Sequence, residues 1–203
     1  PCRVAGAGTA ETGVKQYQPT PSDITALAEA ITPNLKAFVL FGAYSGLRFG
    51  ELAALLREDL VFQVDDFGVQ RWFVKVTKAV SIIEGKQVLG APKSKKGVRT
   101  IALGAAANDF VAEHLGSMTD KSSKAILFPN SQGGMLRHDA FMKRWNVALK
   151  RIGLADQGFT PHGLRRYAAT QYANASGNLE ELCEFLGDST IKSAAGYIRS
   201  TNR

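Results

Sequence analysis

Between residues 61 and 103 the chain changes from helical to extended texture. The stretch VQRWFVKVTKAVSIIEG (residues 69–85) is rich in β-branched and aromatic residues, and VRTIAL (98–103) alternates apolar with polar positions. Asp66-Phe67-Gly68 and Glu84-Gly85-Lys86 supply turn signals. Together they predict a small antiparallel sheet of about three strands. Helical patterns flank it on both sides. TPSDITALAEAI (20–31) opens with Thr20 or Ser22 as a cap and Pro21 early, and NLKAFVLFGAYSG (34–46) is apolar on most faces. A third helix is expected near LRFGELAALLREDL (47–60), with Leu52, Leu55 and Leu56 on one face. Helical spacing resumes at residues 106–118, 137–153, 162–176 and 178–187. The fold class is therefore α+β, mostly helical with a small three-stranded antiparallel sheet inserted.

A length of 203 residues with 45% hydrophobic content suits one domain with its own core. Lys and Arg outnumber Asp and Glu by 25 to 18, a formal net charge of +7, which fits a polyanionic partner as well as a merely basic surface. No apolar run is long enough for a bilayer span, and no secretory signal pattern opens the chain. The small, polar start PCRVAGAGTAETG reads as a linker. Cys2 and Cys183 are too few for a disulfide framework or a zinc site and point to a reducing compartment. Cys183 lies on the apolar stripe of Leu179, Leu182 and Leu186, as a core residue would.

Four places carry chemistry. In SGLRFGEL (45–52), Arg48 stands at a helix start between Gly46 and Gly50, with Glu51 on the same face. A guanidinium flanked by glycines can approach a phosphate closely, though an ordinary surface pair has the same spacing. In APKSKKGVRTIAL (91–103), Lys93, Lys95 and Lys96 precede a glycine and a strand, as on a hairpin tip. Such lysines can enter a DNA groove or protonate a leaving oxygen, and they equally fit a solvated turn. In TPHGLRRYAAT (160–170), His162 and Arg165 are one helical turn apart, with Arg166 beside them. Imidazole next to guanidinium suits phosphoryl chemistry. In LGDSTIKSAAGY (186–197), Gly187 fits a helix stop and Asp188 or Ser189 a cap for a short segment carrying Tyr197.

The four boxes occur in an order that resembles the tyrosine recombinases, the phage-integrase family of site-specific recombinases, from about Thr20 to Tyr197. That resemblance implies a recombinase catalytic domain over residues 19–203, with residues 1–18 linking it to a preceding DNA-binding domain. It implies that Arg48 and Arg165 clamp the scissile phosphate and that Tyr197 attacks phosphorus to form a 3′-phosphotyrosyl link. Lys95 would be the general acid for the 5′-oxygen, with Lys93 and Lys96 as alternatives and DNA contacts. His162 would assist proton transfer, Glu51 would support Arg48, and Arg166 would contact DNA. Double-stranded attachment sites would be the partners, bound by a homotetramer on DNA, while the isolated domain could be a monomer. Accessory DNA-bending or directionality proteins and a bacterial cytoplasmic, nucleoid-associated location follow from the same resemblance. No metal, ATP or other cofactor is expected, because the covalent intermediate conserves the bond energy of the broken strand. A type IB topoisomerase-like enzyme and a noncatalytic DNA-binding regulator of the same fold are the competing readings.

The chain leaves the family pattern at Asp188, where most members carry histidine or tryptophan. An ionised aspartate cannot donate to a phosphate, and its charge opposes the anion. It would serve as a helix cap, as an acceptor for His162 or Tyr197, or as the mark of a weakened site.

Overall fold

The computed structural model describes residues 17–92, 94–176 and 178–188. Helix α1 (Pro21–Ala30) starts as its sequence dictates. Thr20 Oγ1 accepts from the Asp23 amide, and the Asp23 carboxylate accepts from the Thr20 amide, closing a reciprocal capping box with Pro21 in the first turn. Helix α2 (Pro33–Ser45) is the central element and packs against α1, α4 (Asn108–Ser117) and α6 (His162–Ser176). Its apolar residues on most faces are explained by that placement: Leu35, Phe38, Val39, Phe41 and Ala43 are all buried.

Around α2 a group of aromatic rings packs into an otherwise aliphatic core. Phe38 meets Phe141 at 4.9 Å and Phe128 edge-on at 5.3 Å between ring centroids. Trp145 is fully buried on α5 (His138–Arg151) and donates its indole N–H to the Phe159 carbonyl at 3.0 Å. Burying such a ring needs that bond, because an orphaned donor would cancel part of the gain.

The third helix is shorter than its leucines suggest. Helix α3 covers only Phe49–Ala53, and a single 3₁₀ turn follows at Arg57–Asp59. Leu56 leaves helical geometry to pair with Ile126 as an isolated bridge, and the Leu127 amide donates to the Leu55 carbonyl. Non-local pairing thus outweighs helical propensity in this segment.

The expected three-stranded antiparallel sheet is present, with β1 (Leu60–Val64), β2 (Gln70–Val76) and β5 (Arg99–Ala102) in the order β1-β2-β5. Leu60, Val74 and Ile101 form a buried row across it. Between β2 and β5 the chain adds a separate two-stranded hairpin, β3 (Ala79–Ile83) and β4 (Lys86–Gly90), turned by Glu84 and Gly85, both at positive φ. The lysine segment therefore connects two sheets and is not a hairpin tip. Lys95 and Lys96 sit exposed on a 3₁₀ turn just before β5, and Lys93 lies outside the described residues.

The added hairpin packs on α3 through the backbone. A Cβ built on Gly50 would fall on the Val80 carbonyl oxygen. Gly50→Ala is expected to force the two elements apart and to lower stability by about 1–3 kcal/mol in a denaturant melt. An unchanged midpoint would show that the hairpin does not rest on α3.

Candidate active site

Gly46 ends α2 in the left-handed conformation, at φ 63°. Its turn delivers Arg48 to the N-cap position of α3, facing the ends of α6 and α7 (Leu179–Leu186). On α6, Arg165 is only 1% exposed, and its carbonyl partners come from the two neighbouring helix ends. Nη1 donates to the Gly46 carbonyl at 2.8 Å and Nη2 to the Leu186 carbonyl at 2.9 Å. Those carbonyls are left over by the helical ladders, so the guanidinium caps two C-termini at once.

Gly187 closes α7 at φ 66°, and the Asp188 amide donates back to the Cys183 carbonyl at 3.0 Å. This C-terminal motif fixes where Asp188 projects. Its carboxylate is buried, and one oxygen serves both arginines: Oδ1 accepts from Arg48 Nη2 at 2.6 Å and lies 2.9 Å from Arg165 Nη2. Two guanidiniums from distant parts of the chain thus converge on a single oxygen.

A second carboxylate holds the arrangement from behind. Glu51 is 2% exposed and accepts from Arg48 Nη1 at 2.9 Å and from the Arg48 amide at 3.0 Å. Its other large partner is Arg99, whose Nη2 donates to Oε2 at 3.2 Å. Burial alone would raise the Glu51 pKa; Arg99, followed by Arg48, reverses this and holds it below the usual carboxylate value.

Arg99 has no counterpart in the sequence reading, yet it joins three pieces of the site. Nε donates to the Phe185 carbonyl at 2.9 Å, Nη1 to the Gly97 carbonyl at 2.9 Å, and Nη2 to Glu51. It passes so close to Gly187 that a Cβ there would come within 2.7 Å of Nη1. The lysine turn, the end of α7 and the start of α3 are tied through this one side chain. A signal was present: in VRTIAL, Arg99 shares a period-two face with Ile101 and Leu103, and an arginine on a core-facing position requires a buried anion.

His162 opens α6 at the rim of a cavity of ≈ 450 Å³ that Arg48 and Arg165 also line, with Phe38, Phe49 and Met142 in its wall. The cavity withholds enough water to lower the imidazole pKa, and Arg165, Arg166 and Arg48 push it further down against the weaker pull of Asp188. Imidazole is the side chain suited to proton exchange near neutral pH.

Other expected residues fall differently. Arg166 turns inward and its Nη2 donates to the Tyr17 carbonyl at 3.2 Å, anchoring the segment that enters α1. It is buried because α6 packs on nearly every side between Gly163 and Thr170. Cys183 is buried beside Ala169, Leu182 and Leu186, and burial raises its thiol pKa. Tyr197 and Ser189 lie outside the described residues, as does any segment that Asp188 would cap.

Comparison with known proteins identifies the fold and the family. Among solved structures, the Tn1549 transposon integrase in complex with transposon right end DNA superposes with a TM-score of 0.72 at 19% identity, covering 89% of this chain and 61% of that one. XerA recombinase superposes at 0.66 with 20% identity, covering 90% and 58%. The fold is that of the tyrosine-recombinase catalytic domains. In sequence, a protein named as a phiRv2 prophage integrase in Mycobacterium tuberculosis is 30% identical over 199 residues, 97% of this chain and 51% of that protein. The integrase of Mycobacterium phage L5 is 29% identical over the same length and coverage. The phage integrase family matches over residues 20–203, and the chain belongs to that family. It spans about half the length of the curated relatives it matches.

Arg99→Ala would leave Glu51 with half of its cationic partners and is expected to cost about 3 kcal/mol of stability. Glu51→Gln in the same background should cost distinctly less than it does alone. The double-mutant cycle, read from chemical denaturation, should show coupling of about 1 kcal/mol or more. Additive effects would mean that the two side chains act independently.

Proposed function

We propose that this chain is the catalytic domain of a site-specific DNA recombinase that cuts and rejoins strands through a tyrosine–DNA covalent intermediate. The observation that carries the proposal is the convergence of Arg48 and Arg165 on one anionic oxygen, at 2.6 and 2.9 Å, with His162 lining the same cavity. A phosphodiester repels nucleophiles because it is itself an anion. Fixed guanidiniums at its nonbridging oxygens neutralise it and bind the more highly charged transition state better than water does.

In this reading the Tyr197 oxygen attacks phosphorus as its proton is lost, and the bond to the 5′-oxygen breaks. Lys95 gives that oxygen a proton, and His162 handles proton traffic around the phosphate. Lys95 rides on the turn that Arg99 ties to the end of α7, where the Ser94 hydroxyl reaches the Gly187 carbonyl at 3.4 Å. The reverse attack by a new 5′-hydroxyl restores the strand, so the bond energy is conserved in the phosphotyrosine. The partner is double-stranded DNA, engaged as a tetramer across two attachment sites. Relatives about twice as long support a larger protein in which residues 1–18 connect this domain to a DNA-binding one. Among the described residues no helix is long and apolar enough to cross a membrane.

Incubation with a nicked attachment-site duplex should trap a covalent protein–DNA adduct resistant to denaturant. Tyr197→Phe should abolish it, and Arg165→Ala should reduce it by about 100-fold or more, the usual scale for losing a transition-state contact. Tight duplex binding with no adduct from the unaltered chain would favour the regulator reading instead.

A further inference from the structure

The most unusual feature of the site is what occupies it. The point where Arg48 and Arg165 converge is filled by Asp188 Oδ1, a side chain of the protein itself. The partners of the two guanidiniums define what a ligand must displace. Arg165 Nη1 is engaged by the Gly46 carbonyl, and Nη2 by the Leu186 carbonyl together with Asp188. Arg48 Nη1 is engaged by Glu51 and Nη2 by Asp188. An incoming anion can reach both Nη2 groups together only by taking the place of the Asp188 oxygen.

The contact is also incomplete in a way that favours exchange. Asp188 Oδ2 and Arg165 Nε are both buried, and neither has a hydrogen-bond partner among the described residues. A carboxylate lodged with one oxygen unpaired has lost water without full replacement. A phosphodiester brings two nonbridging oxygens, enough to take both Nη2 groups and the orphaned Nε–H as well. The backbone at this point is fixed, with the Asp188 amide held by the Cys183 carbonyl and Gly187 at φ 66°, so the contact with the arginines is made by the side chain alone.

We propose that Asp188 is a specificity-determining residue that acts as an internal stand-in for a phosphate oxygen. It neutralises the paired arginines in the free protein and yields them only to a phosphodiester that other contacts hold in place. The three guanidiniums of Arg48, Arg99 and Arg165 face two carboxylates, leaving a single net positive charge in the cluster. Small anions therefore meet a site whose attraction is already largely spent. DNA docked along the domain presents its phosphate at high local concentration and displaces the carboxylate. This inference rests on the reading of Arg48 and Arg165 as a phosphate clamp.

Titration of the whole chain with inorganic phosphate, followed by calorimetry, tests it. Asp188→Asn keeps the shape and removes the charge, and it should bind phosphate about tenfold tighter or more than the unaltered chain, because a like charge facing the anion is gone. Adding Arg165→Ala to Asp188→Asn should remove that gain. Equal or weaker binding by Asp188→Asn would overturn the proposal and make Asp188 a residue that merely holds the arginines in place. No phosphate binding by either chain at any concentration would overturn the clamp reading as well. Should Asp188→Asn fail to fold, the unaltered chain decides. On a saturating attachment-site duplex the Asp188 carboxyl carbon resonance should move, and an unmoved resonance contradicts displacement.

Discussion

A carboxylate removed from water must be paired, and Glu51, at 2% exposure, is paired with two arginines from different parts of the chain. The rest of the site depends on that constraint. Glu51 fixes Arg48 by accepting from both its amide and its guanidinium, and it gives Arg99 a reason to be buried. Arg99 in turn holds the carbonyls of Phe185 and Gly97, so the end of α7 and the lysine turn are set relative to α3. A cation cluster of this kind would repel itself apart without its carboxylates, and the fold spends two of them there.

The helix ends supply the second half of the frame. Arg165 binds the last free carbonyls of α2 and α7, which makes its position a consequence of where those helices stop. They stop at Gly46 and Gly187, both in the left-handed conformation that glycine adopts without strain. The glycines in the sequence boxes are thus geometric requirements of the arginine pair. Catalytic groups placed this way are preorganised: little reorganisation remains when charge develops on a bound phosphate.

The local parts of this account were legible in the sequence. The cap at the start of α1, the burial of α2, the helix stop at Gly187 and the shared face of His162 and Arg165 follow from spacing within a few residues. What escaped depends on partners far along the chain. The β3–β4 strands could be read as extended, but their separation from the main sheet is a choice of pairing partner. Arg99 carried a signal in its alternation, yet its anion lies 48 residues away. The burial of Arg166 is likewise set by helices that pack on α6 from other parts of the chain. Asp188 stood out as a departure from the family pattern, while its two arginine partners are visible only in three dimensions.

The central claim is that one oxygen position between Arg48 and Arg165 belongs alternately to Asp188 and to the scissile phosphate. A crystal structure of the Tyr197→Phe chain on an attachment-site duplex tests it most directly. The account predicts a nonbridging phosphate oxygen within hydrogen-bond distance of both Nη2 atoms, with the Asp188 side chain rotated away and the Glu51–Arg99 pair unchanged. A structure in which Asp188 still bridges both arginines while the scissile phosphate sits elsewhere would contradict it.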